Sequence, residues 1–404
     1  MLFLFAILIV CFCGCKERNN NDSAYTQHEI ETLHLENTKL MPIVSDSIVT
    51  VDLNPFLGNK MFDFGDLVKN VSIVPLETTD KSLISNLYKI IVSENHIYVF
   101  DDFKGGGVAI FSRSGTFVKR LPHGGGPGEI TMLHDIAYDR NTRRLLVYQH
   151  PFLLFYTSTG DYIEQVKLPF GFYNFIVLPT GYLFKTLDGY GNEHLRDKKN
   201  FTVLVTNKDF ALECVGLPTV HMEANYGGYS YLYENEGCIG ITNNNNDTIF
   251  HYNDSLHRLD AIYVMDYKDK KVPMNYWNLQ GRDFSMKVSQ NDYYYYIGEY
   301  LETTSCQAFF LRNDYRRMRT VVYRNKNTGK LVGGSEAHFN PREIPAIAFP
   351  TGTYKDYFVS VHYPNRSDSL LLNSSKLTLK DKKMMLKLKE DDNPVLVLFQ
   401  IEMP

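Results

Sequence analysis

The sequence predicts an all-β chain folded as a six-bladed β-propeller of four-stranded antiparallel blades, with seven blades as the alternative. Three observations carry that prediction. First, a strand–turn–strand unit returns at a nearly fixed interval: residues 109–118 and 153–163 each run from an apolar strand through a small polar turn containing Gly into a second strand. Taking Gly115, Gly160, Lys208 and Asp254 as equivalent, the steps are 45, 48 and 46 residues, the length of one blade. Second, the aromatic content of 14% comes as 28 Tyr and 26 Phe with a single Trp, a composition suited to pleated, half-buried strands. Third, Gly, Asn and Pro fall between the apolar runs, where backbone freedom or a fixed φ is needed.

Taken in order, the chain opens on an unbroken apolar run at residues 2–10. It is too short to span a bilayer and suits the core of a secretory signal, here residues 1–14. Gly14 directly before Cys15 resembles the bacterial lipobox, so Cys15 is the expected lipid anchor, carrying acyl chains such as palmitate. Each buried CH₂ of such a chain contributes about 0.8 kcal/mol. No Lys or Arg precedes Lys16, which places the expected translation start upstream of Met1. Residues 15–45 read as an Asn-rich tether, disordered apart from a weakly structured piece at 28–40. The propeller is expected over residues 46–404.

Residues 68–75 alternate as a strand placed before the first full repeat, and are expected to complete the last blade and close the ring. Blades one to four follow at 87–121, 136–168, 175–215 and 229–264. Regularity breaks at 266–303, which reads as an irregular insertion with a loop or short helix at 273–280. The fifth blade resumes at 307–323 and the sixth at 346–361. A Lys-rich, partly helical piece at 374–389 precedes a strongly apolar last strand at 395–401.

Several strings place the chain near a known group: Ile73-Val74-Pro75-Leu76-Glu77-Thr78, Ile97-Tyr98-Val99-Phe100-Asp101, Ile110-Phe111 with Gly115, Gly124-Gly125-Gly126-Pro127-Gly128-Glu129, and Asp247-Thr248-Ile249-Phe250. Over residues 45–404 the chain resembles the six-bladed, NHL-like β-propeller lipoproteins of Bacteroidetes. The resemblance implies an exported, lipid-anchored propeller and no established activity, so it supplies no catalytic residue.

Chemistry is sought first in His123 to Glu129, where consecutive glycines can point backbone N–H groups at an anion. His134 and Asp135 stand close by in sequence. A tight crossing between blades needs the same glycines, and that structural reading is the stronger one. Asp101-Asp102 beside Gly105-Gly106-Gly107 reads as an exposed hairpin. Trp277, Tyr293 and Tyr295 lie in or beside the irregular insertion; they are either an aromatic platform for a sugar or peptide or a half-buried strand. A metal-dependent, lactonase-like hydrolase or a lyase would draw on Asn86, His134, Asp135 and Asn174 around the channel. The chain has no Gly-x-Ser-x-Gly, no His-Glu-x-x-His and no cysteine metal cluster. No catalytic constellation emerges, and the reading leans away from an enzyme.

The net charge of −4 gives no field drawing the chain to nucleic acid. No cofactor is expected, with a divalent ion such as Ca²⁺ as the alternative. Cys214, Cys238 and Cys306 are expected as buried thiols on strands, with one disulfide as the alternative. The expected protein is a monomeric envelope binding or scaffold module. A lipid holds it to the outer membrane, the periplasmic face being favoured over the cell surface, and it engages a glycan, peptide or protein.

Overall fold

Apolar runs separated by turn residues pair here mostly with their immediate chain neighbours, and six such sheets make the ring. The computed structural model describes residues 25–58, 67–102, 107–187, 191–220, 230–243, 246–313, 318–335, 349–364 and 374–403. A short helix α1 (Gln27–Glu31) leads into β1 (Lys39–Leu40), β2 (Ile43–Val44), β3 (Val49–Asp52) and β4 (Val68–Pro75). Blade 1 holds β5 (Leu87–Val92), β6 (His96–Asp101), β7 (Gly107–Ser112) and β8 (Phe117–Arg120). Blade 2 holds β9 (Asp135–Asp139), β10 (Arg144–Gln149), β11 (Phe152–Thr157) and β12 (Tyr162–Lys167). Blade 3 holds β13 (Asn174–Val177), β14 (Gly181–Lys185), β15 (Phe201–Asn207) and β16 (Leu212–Pro218). Blade 4 holds β17 (Leu232–Asn235), β18 (Cys238–Asn243), β19 (Asn246–Asn253) and β20 (Arg258–Asp266). Helix α2 (Gly281–Gln290) precedes blade 5, which holds β21 (Tyr295–Glu302), β22 (Cys306–Asn313), β23 (Met318–Asn325) and β24 (Leu331–Ser335). Blade 6 holds β25 (Gly352–Tyr354), β26 (Tyr357–His362) and, after helix α3 (Leu379–Met385), β27 (Val395–Ile401).

The fourth strand of blade 6 is β4, antiparallel to β27 from Val395↔Pro75 to Ile401↔Val68. The expected closure is therefore present, and the described residues form six blades without a seventh. Gly115 bears on it directly. Its φ is +91°, and a Cβ there would lie 2.0 Å from the Pro75 carbonyl oxygen, while its own carbonyl accepts the Glu77 N–H at 2.9 Å.

The core lies between blades. Strand β6 shows how one sequence serves two of them. Tyr98 and Phe100 join Ile136, Leu145 and Tyr156 in the cluster between blades 1 and 2. Ile97 and Val99 point the other way, to Val359, Leu396 and Leu398 of blade 6. The period-two alternation of a strand thus divides its side chains between two buried faces. Equivalent clusters fill the other four gaps.

Two expectations need correction. Residues 25–45 are not a free tether: β1 adds to β16 and β2 to β20, both in parallel, and β3 continues along β20. Leu33, Met41 and Val51 are buried in the clusters of blades 2–3, 3–4 and 4–5, so apolar burial outweighs the polar composition of this segment. The 266–303 segment is only partly an insertion, because β21 is the inner strand of blade 5. Its pattern is masked by a bulge between Tyr296 and Tyr300, which breaks the alternation. Gly298 sits there at φ +89°, where a Cβ would lie 2.5 Å from the Tyr231 ring. Cys214, Cys238 and Cys306 are free thiols; the first and last are buried and Cys238 is half-buried.

Candidate functional site at the central channel

Antiparallel pairing sends the inner strand of every blade in the same direction, so the two ends of the ring differ. One end, the turn rim, carries connections of two to five residues, such as 93–95, 140–143 and 236–237. The other, the crossing rim, carries the passages between blades and the long excursions 121–134, 186–200, 267–294 and 363–394.

The inner strands β5, β9, β13, β17, β21 and β25 enclose a channel cavity of about 530 Å³. Tyr88, Tyr138, Arg140, Glu234, Glu299 and Tyr300 contribute to its wall, among aliphatic residues. Polar bridges cross it. The Tyr88 and Tyr173 hydroxyls, from blades 1 and 3, stand 3.1 Å apart. Burial, followed by that bond, pushes the Tyr88 phenol well above its ordinary range. At the turn rim the Arg140 guanidinium lies 3.4 Å from Glu94 and 3.5 Å from Glu234, tying together blades 1, 2 and 4. The cavity can hold a small polar molecule or the end of a chain between aromatic faces and fixed charges.

The residues singled out in the sequence are not brought together here. Asp135 is fully buried; its carboxylate accepts from Lys89 Nζ at 2.7 Å and from the Phe175 N–H at 3.0 Å. Asn174 Oδ1 accepts the Tyr231 N–H at 3.1 Å. Both side chains strap one inner strand to the next blade, which leaves them poorly placed as metal ligands. Asn86 is exposed at the crossing rim, its N–H donating to Asp101 at 2.9 Å. His134 lies half-buried, with Nδ1 3.4 Å from the His150 N–H; burial and then the His150 charge lower its pKa.

In the glycine loop, Glu129 Oε2 accepts the Gly126 N–H at 2.8 Å. A Cβ on Gly124 would lie 2.1 Å from the same oxygen. The glycine loop is thus closed on the chain's own carboxylate, which fills the place an anion would take, and His123 stands exposed beside it. Nor do Trp277, Tyr293 and Tyr295 form an open aromatic platform. Trp277 and Tyr295 are buried, with Phe284 4.9 Å from the indole and 5.5 Å from the Tyr295 ring, in a small core with Val272 and Val288. Tyr293 packs edge-on against Tyr276 at 5.8 Å. Large rings in a polar excursion gain more by building their own core than by facing water. The Asp101 carboxylate is likewise buried, bound by the Ser85 and Asn86 N–H groups and by Arg120. Cys15 and the signal lie outside the described residues.

Sequence reasoning missed Tyr88, Arg140 and Glu234. Their signal is only their register on inner strands or on the turn that follows.

Residues 48–400 match the family described as Domain of unknown function (DUF4934). The chain belongs to that family. This agrees with the resemblance to Bacteroidetes six-bladed propellers of unassigned function. Among solved structures, the chain is similar to a putative exported protein from Bacteroides fragilis, with 17% identity over 88% of this chain and all of that one, at a TM-score of 0.72. It is more distantly similar to the extracellular domain of a putative one-component system from B. thetaiotaomicron, with 13% identity, 66% of this chain and 29% of that one, at 0.35. A protein of unknown function from Bacteroides caccae matches at 11% identity, 63% and 83% coverage, and 0.36. At these identities the first comparison supports the fold alone. No curated protein matches the chain. Among the described residues, no helix is long and apolar enough to cross a membrane.

Proposed function

We propose that this protein is an exported, lipid-anchored binding module of the cell envelope whose channel receives the end of a glycan. The supporting observation is the channel itself: a cavity of about 530 Å³ walled by tyrosine faces and a few fixed charges. Sugars match such a wall, because their apolar C–H faces stack on rings while their hydroxyls meet charged groups. The long excursions of the crossing rim add surface for the rest of a polymer or for a protein partner.

Export and anchoring rest on the apolar leader and Gly14-Cys15, and the name of the Bacteroides fragilis relative is in keeping with them. The protein reads as acting at the outer membrane, on its periplasmic face. Nine residues lie between Cys15 and Tyr25, a reach of about 35 Å when fully extended. Tyr25 packs against His194 at 4.9 Å, beside the crossing rim.

The test is a glycan array followed by calorimetry on residues 16–404. Binding should appear and should weaken by about tenfold in Tyr88→Ala, the loss expected for one stacking ring. Silence across envelope glycans, or full binding by Tyr88→Ala and Arg140→Ala, would remove the channel as the site.

A further inference from the structure

A second polar cluster lies away from the crossing rim, where blade 4 meets blade 5. Cys238 opens β18, immediately after a two-residue turn. His251 on β19 stands opposite Gly240, which in turn stands opposite Tyr233 on β17. Because residue 240 has no side chain, the Tyr233 ring can lie across its backbone; a Cβ there would fall 1.4 Å from the ring. The Tyr233 hydroxyl is thereby delivered beside Cys238 and His251. Glu302, the last residue of β21, reaches in from blade 5 and is almost completely buried.

The distances are specific. Tyr233 Oη lies 3.5 Å from Cys238 Sγ, 3.1 Å from His251 Nε2 and 2.6 Å from Glu302 Oε2. His251 Nε2 lies 3.7 Å from Cys238 Sγ and 3.2 Å from Glu302 Oε2. The ligand atoms of Cys238, His251 and Glu302 all fall within 4.8 Å of one another. A tetrahedral zinc ion with bonds of about 2.0–2.3 Å needs donor–donor edges of about 3.3–3.8 Å. The sulfur–nitrogen and nitrogen–oxygen edges are already near that size. The surroundings also suit a ligand carboxylate: Lys326 pairs with Glu302 Oε1, and Tyr300 donates to Oε2 at 2.6 Å. Such outer contacts orient a ligand.

We infer that Cys238, His251 and Glu302, with the Tyr233 oxygen or a water held by it in the fourth position, bind a zinc-class divalent ion between blades 4 and 5. Thiolate and imidazole select this class over calcium or magnesium, which take oxygen ligands. As the ion enters, the Cys238 thiol proton and the proton between His251 and Glu302 leave to solvent. The ion then crosslinks two blades through their side chains. This does not depend on what fills the channel.

The test exposes folded residues 16–404 to Zn²⁺ or Co²⁺, removes excess metal, and measures bound metal by mass spectrometry and the cobalt–thiolate charge-transfer band. The wild type should retain one equivalent and show the band. Cys238→Ser should lose the band, and both it and His251→Gln should bind at least about tenfold more weakly. Cys306→Ser, at a buried thiol elsewhere, should match the wild type. Circular dichroism identifies any variant that fails to fold. A folded wild type that retains no metal would overturn the inference, as would binding undiminished in folded Cys238→Ser and His251→Gln.

Discussion

Lys185 ends β14 with 1% of its surface exposed, and it borders a second cavity of about 520 Å³ between blades 3 and 4. Its ammonium donates to the Thr186 carbonyl at 3.3 Å and stands 5.6 Å from the Tyr231 ring. Among the described residues no carboxylate pairs with it. Burial accordingly lowers its pKa from 10.5 to about 7. Between these values the unfolded chain holds a proton that the folded chain has released, so stability rises with pH across the window. Folding with this residue is most costly below pH 7, where the buried amine is charged, and the cost fades as pH approaches 10.5. The difference accumulates at up to about 1.4 kcal/mol per pH step. From pH 7 to pH 9 it amounts to about 2 kcal/mol, because near pH 7 the folded lysine is only half neutral. Lys185→Met keeps the volume and removes the charge, so the variant should be more stable than the wild type at pH 7. Its advantage should shrink by about 2 kcal/mol by pH 9. Urea unfolding of both proteins at pH 7, 8 and 9 reads this as converging midpoints, and subtraction cancels groups common to both. A stability difference that stays constant with pH would refute the argument, since it would mean that Lys185 carries its proton equally in both states.

Two further outcomes follow from the closure strand and the leader. Ile73→Ala on β4 removes a side chain from the blade 5–6 core and should cost about 3 kcal/mol, whereas Val118→Ala, 40% exposed on β8, should cost under about 0.5 kcal/mol; deletion of residues 68–77 should abolish cooperative melting, and an unchanged melting temperature would place closure elsewhere. Cys15→Ala should abolish palmitate labelling and release the protein from the membrane fraction, while labelling that persists in this variant would rule out Cys15 as the anchor.

The ring was legible in the sequence because the four strands of each of blades 1 to 5 follow one another along the chain. Gly115, Gly160, Lys208 and Asp254 mark the same turn between third and fourth strands, and that turn repeats without reference to distant parts of the chain. β21 was illegible because its bulge breaks the alternation on which strand assignment depends. Residues 25–45 misled for a related reason. Their docking strands are two residues long, too short for any periodicity, and what holds them is buried apolar anchors spaced along the segment. Site residues were harder still. Asp135 and Asn174 carry ligand-type oxygens, but neighbouring inner strands hold those oxygens through hydrogen bonds that sequence spacing does not reveal. Cys238, His251 and Glu302 are 13 and 51 residues apart, with no recognisable interval, because two strands of one blade and a bulged strand of the next bring them together.

The asymmetry of the two rims follows from the same local construction. At the turn rim every connection is a tight turn of two to five residues between paired strands of one blade. The crossing rim carries the passages from one blade to the next, such as 121–134 and 267–294, and also the long links 186–200 and 363–394 within blades 3 and 6. Lengthening such a passage adds only a slowly growing closure entropy, about 0.6 kcal/mol per doubling of length. The 267–294 excursion offsets part of that cost by burying Trp277, Phe284 and Val288 in a core of its own. Surface variation can therefore collect at the crossing rim without loosening the ring. The turn rim is where strand ends from adjacent blades stay in fixed relation. A crosslink between blades requires that fixed relation, and recognition of a changing partner requires the freedom of the opposite end. The metal site inferred at β17–β19 and β21, and the channel mouth beneath the long excursions, occupy the ends of the fold that suit each role.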